Sequence, residues 1–285
     1  MSDRKFRFGV SGRGDSAAEW REFARKAEDL GYSTLQLPDH FSRQMAPLLA
    51  LTAAAQVTST LRFGTTVLAN SFRHPVVLAK EIATIDVLSE GRFELGIGTG
   101  SQDRDNVMAG MPVEPGGVRV ERLTETLAIL KQFFSQEEVN FQGKYYQVAE
   151  LPAYPRPYQP GGPPVFIGAG GDRMLRLAAR EADIVGIMGP AEEYGRKLGV
   201  VKKAAGERYD EIVFNQLNFR VQVDGKPDLP SDPRFTDMPG SMIGSVDSIV
   251  EHLQKQREEQ DISYILVIGP AIDAFAPVVA KLNGQ

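Results

Sequence analysis

The sequence predicts an α/β protein built as one (β/α)8 barrel, the TIM barrel, and two observations carry the prediction. The first is the stretch Leu61 to Gly100, LRFGTTVLANSFRHPVVLAKEIATIDVLSEGRFELGIGTG. Its two apolar runs are short, rich in β-branched and aromatic residues and free of polar alternation, as parallel strands covered on both faces require. A helix lies between them, with Pro75 at its first position, Leu78, Ile82 and Ile85 at helical spacing, and Ser89-Glu90-Gly91 as its stop. The second observation is repetition of this unit, which can be counted eight times along 285 residues. A chain of this length could hold two average domains, but no low-complexity linker divides it, so residues 1–285 read as one domain.

Element by element, Phe6 to Val10 is the first strand, and Ser16-Ala-Ala-Glu19 is a capping box ahead of Trp20, Phe23, Ala24, Ala27 and Leu30, with Gly31 as the stop. Thr34 to Leu37 is strand two and Pro47 to Thr58 helix two; the segment from Leu61 then supplies strand three, helix three and strand four. SQDRDNVMAGMPVEPGG after Gly100 reads as a polar loop of the kind barrels use as substrate lids, followed by a helix from Val118 to Phe134. VNFQGKYYQV reads as a hairpin turning at Gln142-Gly143, and LPAYPRPYQPGGPP as extended, proline-locked chain. Both are insertions before strand five, PVFIGA. Helix five then starts after Gly170-Gly171-Asp172, strand six is Asp183 to Met188, helix six Ala191 to Ala205 and strand seven Ile212 to Val223. A long loop with Pro227, Pro230, Pro233 and Pro239 is a second lid candidate. Helix seven runs from Val246, capped by Ser245, to Glu259; Tyr264 to Ile268 is strand eight, and Ile272 to Leu282 closes the ring.

Composition narrows the function. With 32 basic against 37 acidic residues, the chain lacks the basic excess of a nucleic-acid binder. It has no apolar run long enough to span a membrane, and the start MSDRKFRFGV has no apolar signal core, so a cytoplasmic protein is expected. Zero cysteines exclude disulfides and thiolate chemistry, and three histidines leave little for metals.

Residues just after each barrel strand gather on one face, which is where barrel enzymes carry their chemistry. Strand two ends in Pro38-Asp39-His40-Phe41, strand three in Asn70-Ser71-Phe72-Arg73-His74, strand four in Gly98-Thr99-Gly100-Ser101 and strand five in Gly168-Ala169-Gly170-Gly171. His40 beside a carboxylate can act as acid, base or hydrogen-bond donor to a ring cofactor. His74, in a His-Pro pair opening a helix, reads as turn structure, and His252 as solvated. IGAGGD, a buried strand running through glycines into a helix, can present backbone N–H groups to a phosphate, although ordinary turns use glycine in the same way. Gly96-Ile97-Gly98-Thr99-Gly100 either lets a flat ring lie against backbone or relieves crowding. The two glycine runs together favour a phosphate-bearing ring cofactor.

Four ordered blocks then carry a resemblance that spans nearly the whole chain. They are AEDLGYSTLQLPDHF at 27–41, RHPVVLAKEIATIDVLSEGRFELGIGTG at 73–100, GGVRVERLTETLAIL at 116–130 and PPVFIGAGGDRMLRLAAREADIVG at 163–186. The chain resembles the bacterial luciferase-like flavin barrels, and within them the coenzyme F420 (deazaflavin)-dependent oxidoreductases. The resemblance implies that Asp39 and His40 meet the deazaflavin ring, the Asp-His form favouring deazaflavin over flavin mononucleotide (FMN). It implies a bulge with a non-proline cis peptide behind the ring at Asn70 and Ser71, and Gly98 and Gly100 beside the ring. Gly168, Ala169, Gly170 and Gly171 would receive the cofactor phosphate.

The chain departs from the family pattern after the strand-four glycines. Ser101 and Gln102 stand where sugar-phosphate dehydrogenases of the family carry a glutamate, with Asp103 as a substitute candidate, and the aromatic that many relatives place there is missing. The expected activity is hydride transfer between F420 and an unidentified small organic substrate, the missing glutamate weighing against a sugar phosphate. His40 and Asp39 would be catalytic, and Phe41, Phe72 and Met111 are candidates for the pocket wall, without a metal. Two alternatives stay open, an FMN-dependent monooxygenase and a cofactor-binding barrel without turnover. The resemblance also implies a homodimer.

Overall fold

Eight parallel staves close on themselves in the computed structural model, which describes residues 4–41, 44–100, 103–226 and 241–285. In chain order the elements begin with β1 (Arg7–Ser11), α1 (Ala17–Asp29), β2 (Thr34–Leu37), α2 (Pro47–Ala55), β3 (Arg62–Thr65), β4 (Leu68–Ala69), α3 (Pro75–Leu88) and β5 (Phe93–Gly98). They continue with α4 (Asp103–Met108), α5 (Gly116–Ser135), β6 (Glu138–Gln142), β7 (Gln147–Pro152), β8 (Val165–Ala169), α6 (Asp172–Glu181), β9 (Ile184–Ile187) and α7 (Tyr194–Ala205). The last are β10 (Val213–Asn218), β11 (Arg220–Val223), β12 (Ser241–Gly244), α8 (Val246–Gln260), β13 (Ile262–Val267) and α9 (Ile272–Leu282). The strands pair in the order β3-β2-β1-β13-β10-β9-β8-β5-β4, and β3 also pairs with β5, so the sheet is a closed (β/α)8 barrel in which β3 and β4 form one stave.

Local chemistry explains most boundaries. The Ser16 hydroxyl accepts from the Glu19 amide at 3.2 Å, as a capping box requires, although the Glu19 carboxylate reaches back to the amide of Asp15 rather than to that of Ser16. Trp20, Ala24 and Ala27 face the core, and the Trp20 indole donates to the Ala50 carbonyl, tying α1 to α2. Helix α2 ends three residues before the expected Thr58 because its last carbonyls are taken by side chains, Ala54 by the Thr58 hydroxyl and Ala55 by Arg92. Glu28 fastens the next turn to α1 by accepting from the amides of Ser59, Thr60 and Leu61 and from the Thr60 hydroxyl. Burial pushes this carboxyl up, but those four donors outweigh it and hold it below the ordinary glutamate value.

Three expectations need correction. The stretch after Gly100 contains helix α4 rather than only loop; it is held by polar tertiary contacts that leave no trace in hydrophobic periodicity. Asn106 donates to the Ser71 hydroxyl and to the Pro112 carbonyl, and Arg119 pairs with Asp103. Strand seven splits. Asn218 ends the barrel stave, and Arg220 to Val223, which alternates half-buried and buried residues, leaves to pair in parallel with β12. The non-proline cis peptide lies at Thr66–Val67, not at Asn70–Ser71. Stave three carries its extra residue there: Gly64 pairs with Glu94 and Leu68 with Ile97, four steps against three, while Asn70–Phe72 forms a 3-10 turn.

The hairpin β6–β7 forms, but its turn runs from Gly143 to Tyr146 rather than at Gln142-Gly143, because Gln142 still pairs with Gln147 as the last strand residue. Glu125 on α5 secures that turn by accepting from the amides of Lys144, Tyr145 and Tyr146. The lid candidate bearing Pro227, Pro230, Pro233 and Pro239 lies outside the described residues, as do Ser101 and Gln102. No helix among the described residues is long and apolar enough to cross a membrane.

Candidate active site at the mouth of the barrel

The C-terminal ends of the staves bring the candidates from stave two and stave three together. Asp39 and Arg73 form a two-pronged pair, Nη1 to Oδ2 at 2.6 Å and Nη2 to Oδ1 at 3.2 Å, and Oδ2 also accepts from the Ala69 amide at 3.0 Å. Both oxygens of the buried Asp39 are thus engaged in bracing the end of β4 against the end of β2. The next residue, His40, places Nδ1 at 2.7 Å from Oδ2 of Asp105 on α4. The Asp105 side chain is only 7% exposed, so Nδ1 faces a buried carboxylate oxygen, an arrangement that favours the Nδ1–H form of the imidazole.

Around this pair, Asn70 is buried with its Oδ1 lacking a hydrogen-bond partner, and Ser71 is exposed and receives Asn106. Phe41 and Phe72 pack with ring centroids 4.7 Å apart, and Phe41 is half open to solvent, so an apolar surface adjoins the imidazole. The strand-four glycines divide by role. A Cβ on Gly98 would press on Val67, whereas Gly100 has φ +77° and its carbonyl accepts from Arg119. Asp103 is spent on the same arginine at 3.1 Å.

Farther round the barrel, the ends of β8 and β9 carry the glycine cradle. A Cβ built on Gly168 or Gly171 meets nothing within 4 Å among the described residues, and α6 starts from Gly171 with no side-chain cap. Its first-turn amides are therefore open to an anion. Asp172 heads the same helix and is ion-paired to Arg196 and Arg176; those arginines, with the hydrogen bond from Arg196 first among the causes, hold its carboxyl below the ordinary value.

His74 does not join the site. Its Nδ1 accepts from the Val76 amide, capping α3, and its ring stands edge-on to Tyr146. His252 is exposed on α8. Asp105 and Arg73 are the residues that sequence reading missed. Arg73 stood in the strand-three cluster without an assigned role, and Asp105 lay in a stretch read as loop, where no inward face could be given to it. Among the described residues, no group of three or more His, Asp or Glu could hold a metal ion.

The family model described as luciferase-like monooxygenase matches residues 5–222. The chain belongs to the luciferase-like monooxygenase family. Among curated members, the F420-dependent glucose-6-phosphate dehydrogenase of Amycolatopsis mediterranei is 34% identical over 170 residues, 57% of this chain and 50% of that protein. The chain thus spans half the length of that relative. The enzyme of the same description from Mycolicibacterium smegmatis is 31% identical over 244 residues, 80% of this chain and 72% of that one. The coenzyme F420-dependent tetrahydromethanopterin reductase of Methanopyrus kandleri superposes with a TM-score of 0.83 at 20% identity, over 98% of both chains, which shows the shared (β/α)8 barrel fold.

Proposed function

We propose that this luciferase-like protein is an F420-dependent oxidoreductase that moves a hydride between the bound deazaflavin and a small organic substrate at the barrel mouth. The observation that supports it most is the combination there of a carboxylate-backed imidazole, His40, with an uncapped glycine cradle at Gly168–Gly171. The F420-dependent names of the curated relatives agree with it.

The residues present fit such a group. Gly168, Ala169, Gly170 and Gly171 would hold its phosphate through backbone N–H groups and the positive end of α6. Asn70, Ser71, Gly98 and Gly100 would border the ring, and the unsatisfied Oδ1 of Asn70 is an acceptor awaiting a donor. When bound, the deazaflavin supplies hydride exchange at a ring carbon; the protein supplies orientation, exclusion of water and proton handling. His40 would exchange that proton at Nε2. Asp39, with both oxygens engaged, would hold Arg73 and the end of β4 in place rather than move a proton. Phe41 and Phe72 would shield the substrate from water, with Met111 on the stretch after α4.

Titration of the purified protein with F420 and separately with FMN, followed by cofactor emission, tests the reading. Selective F420 binding is expected, with His40→Ala keeping that binding and losing turnover by about 10²- to 10⁴-fold. Selective FMN binding would transfer the assignment to oxygen chemistry, and binding of neither would remove it. Tight F420 binding with no turnover across a wide substrate panel would favour a non-catalytic barrel.

We also propose a homodimer. Helices α2 and α3 pack together, and each leaves a large apolar residue exposed, Leu49 at 76% and Val77 at 53%. A second copy covering these side chains would remove them from water. Sedimentation equilibrium should give twice the chain mass, and Leu49→Asp with Val77→Asp should give the monomer; a monomeric wild type would overturn the proposal.

A further inference from the structure

We propose that Asp105 is the positioning residue for His40, fixing the imidazole with its proton on Nδ1 and offsetting the charge gained when Nε2 takes a proton from the substrate. The inference deepens the F420 reading above and rests on it for the identity of the hydride carrier. Its own support is geometric. Nδ1 of His40 and Oδ2 of Asp105 are 2.7 Å apart, and the carboxylate is buried on a helix of six residues that joins the site by no apolar periodicity.

A buried carboxylate is costly unless strongly hydrogen-bonded, so its placement against an imidazole demands a compensating contact, and His40 is that contact. The helix is anchored on both sides of the pair. Asn106, the next residue, donates to Ser71 on the stave-three turn and to Pro112, while Asp103 holds Arg119 of α5. Asp105 is therefore held at a fixed distance from the imidazole by contacts independent of it. Asp103, the acid first suggested by position in the chain, is tied to Arg119 and more than half exposed, so the inner acid on α4 is Asp105.

Asp105 places a buried carboxylate on the Nδ1 side of the imidazole, while Asp39 and Arg73, at the neighbouring stave ends, are paired with each other. The step assigned to the pair is a proton transfer: the substrate's acidic X–H bond breaks, an Nε2–H bond forms, the imidazole becomes imidazolium and Asp105 keeps its charge. A bound deazaflavin would supply the acceptor for the accompanying hydride and its electron pair; in the opposite direction Nε2 would return the proton and the reduced deazaflavin would be the hydride source.

Two readouts test this. In the cofactor-free protein, long-range ¹H–¹⁵N spectra of the imidazoles report which ring nitrogen carries the proton, and only His40, His74 and His252 contribute signals. His40, assigned by its loss in His40→Ala, is expected as the Nδ1–H form in the wild type and as the Nε2–H form in Asp105→Leu, with His74 and His252 unmoved. In turnover, Asp105→Asn is expected to lower kcat about 10- to 100-fold with F420 affinity and KM within about twofold, and Asp105→Glu to restore most of it. The double variant His40→Ala with Asp105→Asn should be no slower than His40→Ala alone, because residues that act as one unit are not additive. A wild-type Nε2–H tautomer, or losses that multiply in the double variant, would overturn the proposal. The first readout uses no cofactor, so it judges the Asp105–His40 pair even if the protein proves to bind FMN.

Discussion

Gly96→Ala is expected to destabilise the barrel by about 3 kcal/mol or more, at the upper end of what overpacking costs. Gly96 sits in the middle of β5, opposite the extra residue of stave three. A Cβ on Gly96 would stand 1.6 Å from the Thr65 oxygen and 2.7 Å from its carbonyl carbon. Both are backbone atoms of a neighbouring stave, so no side chain can rotate away. The Thr65 hydroxyl also bridges the gap in the ladder, donating to the Gly96 carbonyl at 2.7 Å and accepting from the Gly96 amide at 3.0 Å. Pushing the staves apart would break these contacts as well. Gly171→Ala is the contrasting variant: its backbone is extended, with φ −89°, and its Cβ would meet nothing within 4 Å among the described residues, so stability should change by less than about 0.5 kcal/mol. Thermal unfolding of both variants decides the matter, and equal midpoints would refute the crowding argument.

The same contrast shows what could be read from the chain alone. Glycine was visible at both positions, but one is required by backbone contact and the other leaves a helix terminus open, and only coordinates separate the two. Elements whose limits are set by local punctuation were legible: Gly31, at φ +79°, stops α1 three residues before β2, and the Ser245 hydroxyl caps α8 by accepting from the Ser248 amide. Elements set by tertiary contact were not. Helix α4 exists through Asn106, Asp103 and Asp105 reaching other strand ends and α5, and none of these is apolar, so a hydrophobic pattern could not reveal it. The clustering of Asp39, His40, Asn70 and Ser71 followed from one rule, that residues after barrel strands share a face. The carboxylate that faces His40 came from an insertion, where that rule has no register to count from. The departure of β11 from stave seven left a legible trace, the alternation Arg220-Val221-Gln222-Val223, which differs from the run VFNQLN before it.

At the opposite end of the barrel, Glu94→Leu is expected to cost about 2–4 kcal/mol while leaving the mouth intact. Glu94 is the second residue of β5 and its side chain is 2% exposed. One carboxylate oxygen takes both Arg7 and Arg62, the latter at 2.7 Å, from the first positions of β1 and β3. The Arg7 guanidinium lies over the ring of Tyr264, 4.5 Å from its centre. Burial pushes Arg7 down, but Glu94 outweighs it and holds the group above its ordinary value; burial first, and Glu94 second, push Tyr264 up. Removing one partner of a buried pair typically costs about 3–5 kcal/mol, because the remaining charge is left uncompensated. The figure is discounted here because the Arg7 and Arg62 side chains keep 28% and 29% exposure. If uncompensated charge is the cause, then Arg7→Met and Arg62→Met added to Glu94→Leu should recover much of the loss, since an apolar plug removes the desolvation cost of all three groups. Urea unfolding measures both, and affinity for the cofactor proposed at the mouth should be unchanged in each variant, because residues at the N-terminal face of such barrels serve stability and those at the C-terminal face serve chemistry. A loss below about 1 kcal/mol in Glu94→Leu would mean that water already pays most of the solvation of the two arginines, and the plug would then be packing rather than charge.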